Sequence, residues 1–518
     1  MRLRLRYRLL SILLVLAGTC LTLFYADAGV QVQDEVLLFE QEKKTLRLWY
    51  TDPALTDYLT GRAVEYNRGS RTVRVEPTLV AGIEFLEEVS RASVEGDNYP
   101  DLYILSHDSL GKAYLAGLAT TIDDVGYLTD DESGFGMAAR NAVRYHDNYV
   151  AYPFYFETSS LLYNRSYLEA EARLELEREA DQAAGEAAQA AVDEAEEESA
   201  EADTEEGGEG GVGDEGMPEL SIGETGEIEL SPAEVDARVA SFLPSTIADI
   251  LTFADKYNAP EAVEAVFKWD VTDLFYNYFF VGGYMSLGGA AGDDPAQIDI
   301  YNESTLDCMN VYQQLNQFFA IDADDVSYDE VMEDFIEGKI VFTLATTDAI
   351  ARLERAREEG RCDFDYGVAP MPGLTPGYHT RTMSVTEALV INGYSENAAE
   401  ANAFARFLAG EQTDSLYRMA GKLLAHQGVS YANEGITSFL YVYENSVPLT
   451  KLLELSNFWV QLEIAFEEIW DGADVNQTMR TLTEAALRQV TGEEYHQKPL
   501  PDPQILFTYS TEEDDGGN

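Results

Sequence analysis

Apolar residues recur along this chain in two alternating rhythms. Leu46, Leu48 and Tyr50 alternate with Thr45, Arg47 and Trp49, the period-two pattern of a strand. Leu55, Tyr58, Leu59 and Tyr66 follow and predict a helix. Val73, Val75 and Pro77 then mark a second strand, and Ile83, Leu86 and Val89 a second helix. Residues 100–105 (PDLYIL) read as a third, buried strand. Strands alternating with helices predict an α/β architecture. The same alternation resumes at Ser245, a predicted cap for a helix through Ile250, Leu251 and Ala254. Another helix is predicted near residues 306–319. Val331, Phe335 and Ile336 form one face of the next, which Gly338 is placed to end in a left-handed cap. Residues 340–344, 366–370 and 388–391 read as strands, and a helix carrying Phe404, Phe407 and Leu408 follows the last. The C-terminal third reads as helical over 452–470 and 475–490. No internal repeat is present.

The pattern breaks between residues 168 and 244. A Glu/Ala-rich, helical-looking piece over 168–202 is followed by a stretch, 205–216, that is nearly all Glu, Asp and Gly. Few residues there can be buried and many charges must be solvated, so a flexible acidic insertion is expected. It carries about a third of the chain's net charge of −60. As a working element it would be a calcium sponge or a partner tail; as a bland one, a solvated surface loop.

That net charge, in a chain of 518 residues, disfavours nucleic acid, whose phosphates would be repelled. The N-terminus reads as an export signal. Arg2, Arg4, Arg6 and Arg8 precede an apolar run over 9–25, and Ala26-Asp27-Ala28 is a small-x-small cleavage site. The same run admits an uncleaved anchor, and Cys20 a lipidated one. Either way an exported protein, at the extracellular face of the membrane, is expected. Cys308 and Cys362 are the two cysteines beyond this segment, read as a disulfide pair or as two buried thiols. The five histidines are scattered, so no zinc site is expected. No phosphate-binding Gly-x-x-x-x-Gly-Lys-Ser/Thr loop occurs. Neither cofactor nor enzymatic activity is expected.

Several stretches resemble the extracellular solute-binding proteins (family 1) of ABC sugar importers, in their maltose/maltodextrin-binding branch. Residues 96–101 (GDNYPD) and 104–122 (ILSHDSLGKAYLAGLATTI) resemble that family's Pro-Asp strand, Asp-bearing loop and helix ending in Gly-Leu. Residues 142–164 (AVRYHDNYVAYPFYFETSSLLYN) resemble its Tyr-Pro…Leu-x-Tyr-Asn signature. Residues 335–344 (FIEGKIVFTL) resemble a helix-to-strand step, and 456–459 (SNFW) a C-terminal aromatic segment. The resemblance covers about residues 45–164 and 245–492. It implies the two-lobed type II fold of periplasmic binding proteins, with hinge crossovers between lobes. In that reading residues 1–28 are the signal or anchor, 29–44 a tether, 45–153 plus 371–425 the first lobe, 154–370 plus 426–495 the second, and 496–518 a polar tail. Crossovers are expected near 155–158, 369–373 and 425–430, with the insertion hanging from the second lobe.

A carbohydrate presents hydroxyls on its rim and weakly apolar C–H faces, so its site combines aromatic plates with planar hydrogen-bonding groups. The resemblance places Trp459 on the family's principal stacking tryptophan and Glu157 on a carboxylate beside a crossover strand. It places Asp108 on the carboxylate after the third strand, Asp270 on another, and Asp52 after the first strand. Asp108 and Asp52 are equally readable as helix caps. Departures are visible too. Ser109 stands where maltose binders carry a positive residue, Leu105 and Asp348 where they carry tryptophans, and Glu463 where they carry a base. Trp269, Tyr155, Phe154 and Tyr276 are the aromatic residues near enough in sequence to compensate. The extra acid at Asp348 and Glu463 also admits an amino sugar or other cationic ligand. The implied partners are a carbohydrate and the permease subunits of an importer, with the chain a monomer. Two other classes stay open: an exported ligand-sensing module, and a glycoside hydrolase using carboxylates such as Glu157 and Asp270.

Overall fold

A computed structural model describes residues 43–202 and 230–503 apart from 81, 83, 97, 131, 320, 324 and 325, and only the backbone of 194–202. The export signal or anchor, Cys20, the tether up to residue 42, the most acidic stretch of the insertion and the last fifteen residues lie outside the described residues.

The chain divides into two compact units. The first comprises Met1–Phe135, Val143–Phe154 and Glu387–Val429. Its sheet forms where the period-two pattern predicts. The strand Lys44–Tyr50 lies parallel between Val73–Leu79 and Leu102–Ser106. Residues 387–391 of the strand Met383–Ile391 pair antiparallel with Leu102–Ser106. Leu46, Leu48 and Leu102 have no exposed surface, and the helix Thr56–Gly69 buries Tyr58, Leu59 and Ala63. One buried acid, Glu411, receives the hydroxyl of Tyr58 and lies 3.5 Å from Arg62, whose guanidinium covers the Phe407 ring at 4.2 Å. The charge is therefore paired rather than stranded.

The second unit comprises Gly136–Ala142, Tyr155–Thr386 and Ser430–Asn518. Its strands are the later part of Tyr152–Asn164, which pairs antiparallel with both Ile340–Thr346 and Tyr366–Ala369, and Ala265–Phe267, parallel to Ile340–Thr346. The helices Glu303–Leu315, Phe458–Trp470 and Val475–Thr491 close over one large apolar cluster that includes Trp269, Tyr312 and Trp470. Gly338 takes φ +76° after the helix Tyr328–Ile336, the left-handed stop expected from the sequence. The helix Ile247–Lys256 is capped by Thr246, one residue later than Ser245, because Asp249 accepts from the backbone N–H groups of both.

Two readings of boundaries change. Residues 371–386 and 136–142 group with the second unit, and the chain passes between units at 135/136, 142/143, 154/155, 386/387 and 429/430. The flanks of the acidic insertion are ordered helices, Arg165–Ala202 and Pro232–Phe242. The reason is local: Leu168 and Ala172, and Val235 and Val239, are each spaced by four and buried in the second unit's core. Arg238 ties the two helices through Glu175 and Glu179 at 2.8 and 2.7 Å.

Cys308 and Cys362 are free thiols, 0% and 2% exposed. Burial raises both thiols above the ordinary range, which suppresses the reactive thiolate. In the native protein neither is expected to react with a thiol-specific disulfide reagent over minutes, and both should react after denaturation. Rapid native labelling of either, located by peptide mapping, would contradict this.

Candidate functional site

The residues singled out from sequence fall on both units. On the first unit, Asp108 lies in the 3-10 turn His107–Ser109, immediately after the strand Leu102–Ser106. It does not cap the following helix Leu110–Leu115, whose N-cap position is Ser109 with no side-chain bond. Its Oδ1 is buried and accepts no hydrogen bond from the described residues. A carboxylate oxygen so placed is costly unless a donor reaches it. Asp52 has the rival role that the sequence allowed. It accepts from the N–H of Ala54 at 2.9 Å, capping the 3-10 turn Pro53–Leu55, and lies 3.3 Å from the Lys422 ammonium.

On the second unit, Glu157 is the one residue of the strand Tyr152–Asn164 that is not buried. Its neighbour Tyr155 is 4% exposed. Trp459 sits in the first turn of the helix Phe458–Trp470, partly exposed, with its ring edge-on to Tyr278 at 5.7 Å and 68°. The Ser-Asn start of that helix leaves the ring at a polar end, while Phe458 and Leu462 take the buried face.

Asp270 is buried, and its lone pairs are committed to its own chain. Oδ1 accepts from the N–H and hydroxyl of Thr272 and from the N–H of Asp273, and Oδ2 from the N–H of Tyr328. This makes Asp270 the brace of the loop that leads into the short helix Leu274–Asn277. Trp269, offered from sequence as a substitute plate, is corrected by the structure. It has no exposed surface, it packs on Phe267, Phe319 and Trp470, and its indole N–H donates to Asn277 at 2.9 Å. Burial of Phe154, at 0% exposed, likewise removes it as a plate.

Asp348 is drawn into a network. Its carboxylate accepts from the hydroxyls of Tyr328, at 2.8 Å, and Thr346, and pairs with Arg352 at 2.7 Å. Tyr328 stacks on Tyr276 at 4.6 Å and 21° and carries the Arg352 guanidinium on its ring at 5.1 Å. Tyr328, Thr346 and Arg352 were not singled out from sequence. A signal existed: Tyr328 lies three and seven residues before Val331 and Phe335, on the core-facing stripe of its helix. Burial pushes the phenols of Tyr276 and Tyr328 well above the ordinary range, and the Asp348 charge adds to it.

The carboxyl of Glu463, one turn after Trp459, is raised by partial desolvation first and then by the charges of Asp273 and Asp270. Asp273 is raised for the same leading reason, partly offset by the N–H of Phe275. This part of the second unit is therefore acidic beside an aromatic ring, an arrangement suited to hydroxyl or ammonium donors and unsuited to anions. Among the described residues no group of three or more His, Cys, Asp or Glu is arranged to hold a metal ion, and no helix is long and apolar enough to cross a membrane.

Comparison with known proteins bears on the whole. Residues 228–414 match the family described as Bacterial extracellular solute-binding protein. A stretch of 81 residues is 40% identical to the Maltotriose-binding protein of Pyrococcus abyssi, covering 15% of this chain and 17% of that relative's length. Three solved structures share the fold. The extracellular solute-binding protein of Staphylococcus aureus in complex with maltose aligns with a TM-score of 0.62 and 16% identity, over 87% of this chain and 98% of that one. A cyclo/maltodextrin-binding protein complexed with maltotetraose gives 0.63 and 17%, over 88% and 100%. MalX from Streptococcus pneumoniae in complex with maltopentaose gives 0.57 and 17%, over 86% and 99%. The resemblance drawn from the sequence stands, and the fold is the mixed α/β, two-lobed fold of these solute-binding proteins.

Proposed function

We propose that this chain, similar in sequence and fold to maltose- and maltodextrin-binding proteins, is the exported carbohydrate-capturing subunit of an ABC importer. The observation that carries the reading is the match of residues 228–414 to the solute-binding family, together with that fold over most of the chain. Trp459 is the proposed stacking plate, with Glu157 and Asp108 as rim acceptors for sugar hydroxyls. Asp270 acts by bracing its loop, and Asp348 by orienting Tyr328. Capture by hinge closure is what the resemblance implies, the ligand shifting the population toward the state that binds it better. A permease then receives the ligand, and a separate subunit supplies the ATP-driven step. No chemistry is performed on the sugar.

The test is calorimetric and thermal titration with maltose, maltotriose, longer maltodextrins and an amino-sugar panel. A ligand at 100 times its Kd stabilises the native state by about 2.7 kcal/mol, which is visible as a rise in Tm. Saturable binding of one glycan class is the expected result. No heat and no shift with any sugar would overturn the substrate class, and release of reducing ends during the titration would favour the hydrolase reading instead.

A further inference from the structure

Away from the residues discussed so far, the second unit holds a cavity of about 370 Å³. Its walls come from the helices Arg165–Ala202, Pro232–Phe242 and Ile247–Lys256, with Leu243 and Ser245 between the last two and Tyr257 at the end of the third. Phe242, Phe253 and Tyr257 line it. The last two are stacked at 4.9 Å and 25°, and Phe242 meets Phe253 edge-on at 5.6 Å. The charged side chains on the wall are Glu171, Glu175, Asp249 and Lys256.

Most of these charges are already engaged or open to solvent. Glu175 pairs with Arg238 at 2.8 Å. Asp249 accepts from the N–H groups of Ser245 and Thr246. Lys256 is exposed at the helix end. Glu171 differs: it is 6% exposed, yet no hydrogen bond or ion pair reaches its carboxylate among the described residues. Burial raises its carboxyl, against a partial offset from the Arg178 charge. Burial first, and then the charges of Tyr167 and Glu171, raise the Tyr257 phenol, which makes no hydrogen bond among the described residues. A carboxylate on the wall of a cavity, belonging to a residue that is otherwise almost fully covered, is a ready acceptor for a bound cation that brings N–H donors. Aromatic walls add attraction for the same cation, and the volume falls at the small end of ordinary ligand pockets.

We propose that this cavity is a second ligand site, for a small protonated alkylamine. The ammonium group donates to the Glu171 carboxylate and to the Tyr257 hydroxyl, and the alkyl part lies against Phe242 and Phe253. None of the lining residues is among those assigned to the carbohydrate, so the proposal does not depend on the carbohydrate reading.

The test is calorimetric titration of the full chain with n-butylammonium chloride, against tetramethylammonium chloride and potassium chloride at matched ionic strength. Butylammonium is expected to bind saturably at one site, at least tenfold more tightly than tetramethylammonium, which has no N–H group. Glu171→Gln keeps the shape and removes the charge; it should weaken butylammonium at least tenfold, while its unamended Tm stays equal or rises because a buried charge is gone. Tyr257→Phe should weaken it several-fold. Heats that match potassium chloride, equal affinity for the two ammonium ions, or unchanged affinity in a folded Glu171→Gln protein would each overturn the proposal.

Discussion

Trp459→Ala is expected to weaken carbohydrate binding by about 30- to 1,000-fold, equivalent to about 2–4 kcal/mol, the range for removing a central aromatic anchor. The expectation rests on where the helix Phe458–Trp470 puts the ring. Phe458, Leu462, Ala465 and Phe466 carry the buried face of that helix. Trp459 is only partly covered and is held edge-on by Tyr278. A ring held edge-on by both Tyr278 and Phe458, yet partly exposed, is a low-entropy surface for the C–H face of a sugar. Trp459→Phe keeps a plate and should lose less than about tenfold. Because the ring lies at the margin of the apolar cluster and is partly exposed, the ligand-free alanine variant should lose less in unfolding free energy than in binding free energy. Calorimetry on both variants with the glycan that binds the wild type, beside denaturant unfolding, separates the two effects. Wild-type affinity in Trp459→Ala would remove Trp459 from the site and with it the carbohydrate reading's main aromatic residue.

The fold was legible where side-chain rhythm alone decides burial. The strands at 44–50, 73–79, 102–106 and 340–346 alternate or run apolar, and each forms where expected. The acidic insertion was only half legible. Its composition signals solvation, but Leu168 and Ala172 against Val235 and Val239 are four apolar residues whose effect depends on a partner distant in the chain. Composition averages them away, whereas the fold uses them to dock two helices. The site was legible as residue types and less so as roles. Asp270, Asp52 and Asp108 look alike in sequence: acids beside a strand end. What separates them is which N–H groups face them, four donors for Asp270, one N–H and a lysine for Asp52, none on Oδ1 of Asp108. Such donors come from backbone geometry, which no motif records. The Tyr328–Asp348–Arg352 network is hidden for a related reason: the sequence marks Asp348 as an acid in a tryptophan's place, open to a cationic ligand, but not as the acceptor for a tyrosine twenty residues earlier.

Trp269→Ala is expected to destabilise the second unit by about 3–5 kcal/mol, the usual cost of truncating a buried tryptophan. The ring has no exposed surface and touches three other aromatic rings. The loss does not stop at the void. Asn277 accepts the indole N–H and itself donates to the carbonyls of Asp270 and Asp273. Without the indole its carboxamide oxygen is left buried and unpaired, which adds about 1–3 kcal/mol. Trp269→Phe refills most of the volume but leaves the same oxygen unpaired, so it should cost only that smaller amount. In a chain of two units, unfolding need not be two-state, so the transition of the second unit should be followed by tryptophan fluorescence in a Trp49→Phe background, where the remaining tryptophans all lie in that unit. The pair of variants also distinguishes a core role from a stacking role. A core Trp269 predicts a large loss of stability in the alanine variant, with the phenylalanine variant, once folded, binding carbohydrate within a few-fold of wild type. A stacking Trp269 predicts the reverse: little change in unfolding free energy and a large loss of affinity in both. The second pattern would mean that the loop after Phe267 rearranges to expose the ring, and the assignment of Trp459 as the principal plate would then have to be shared.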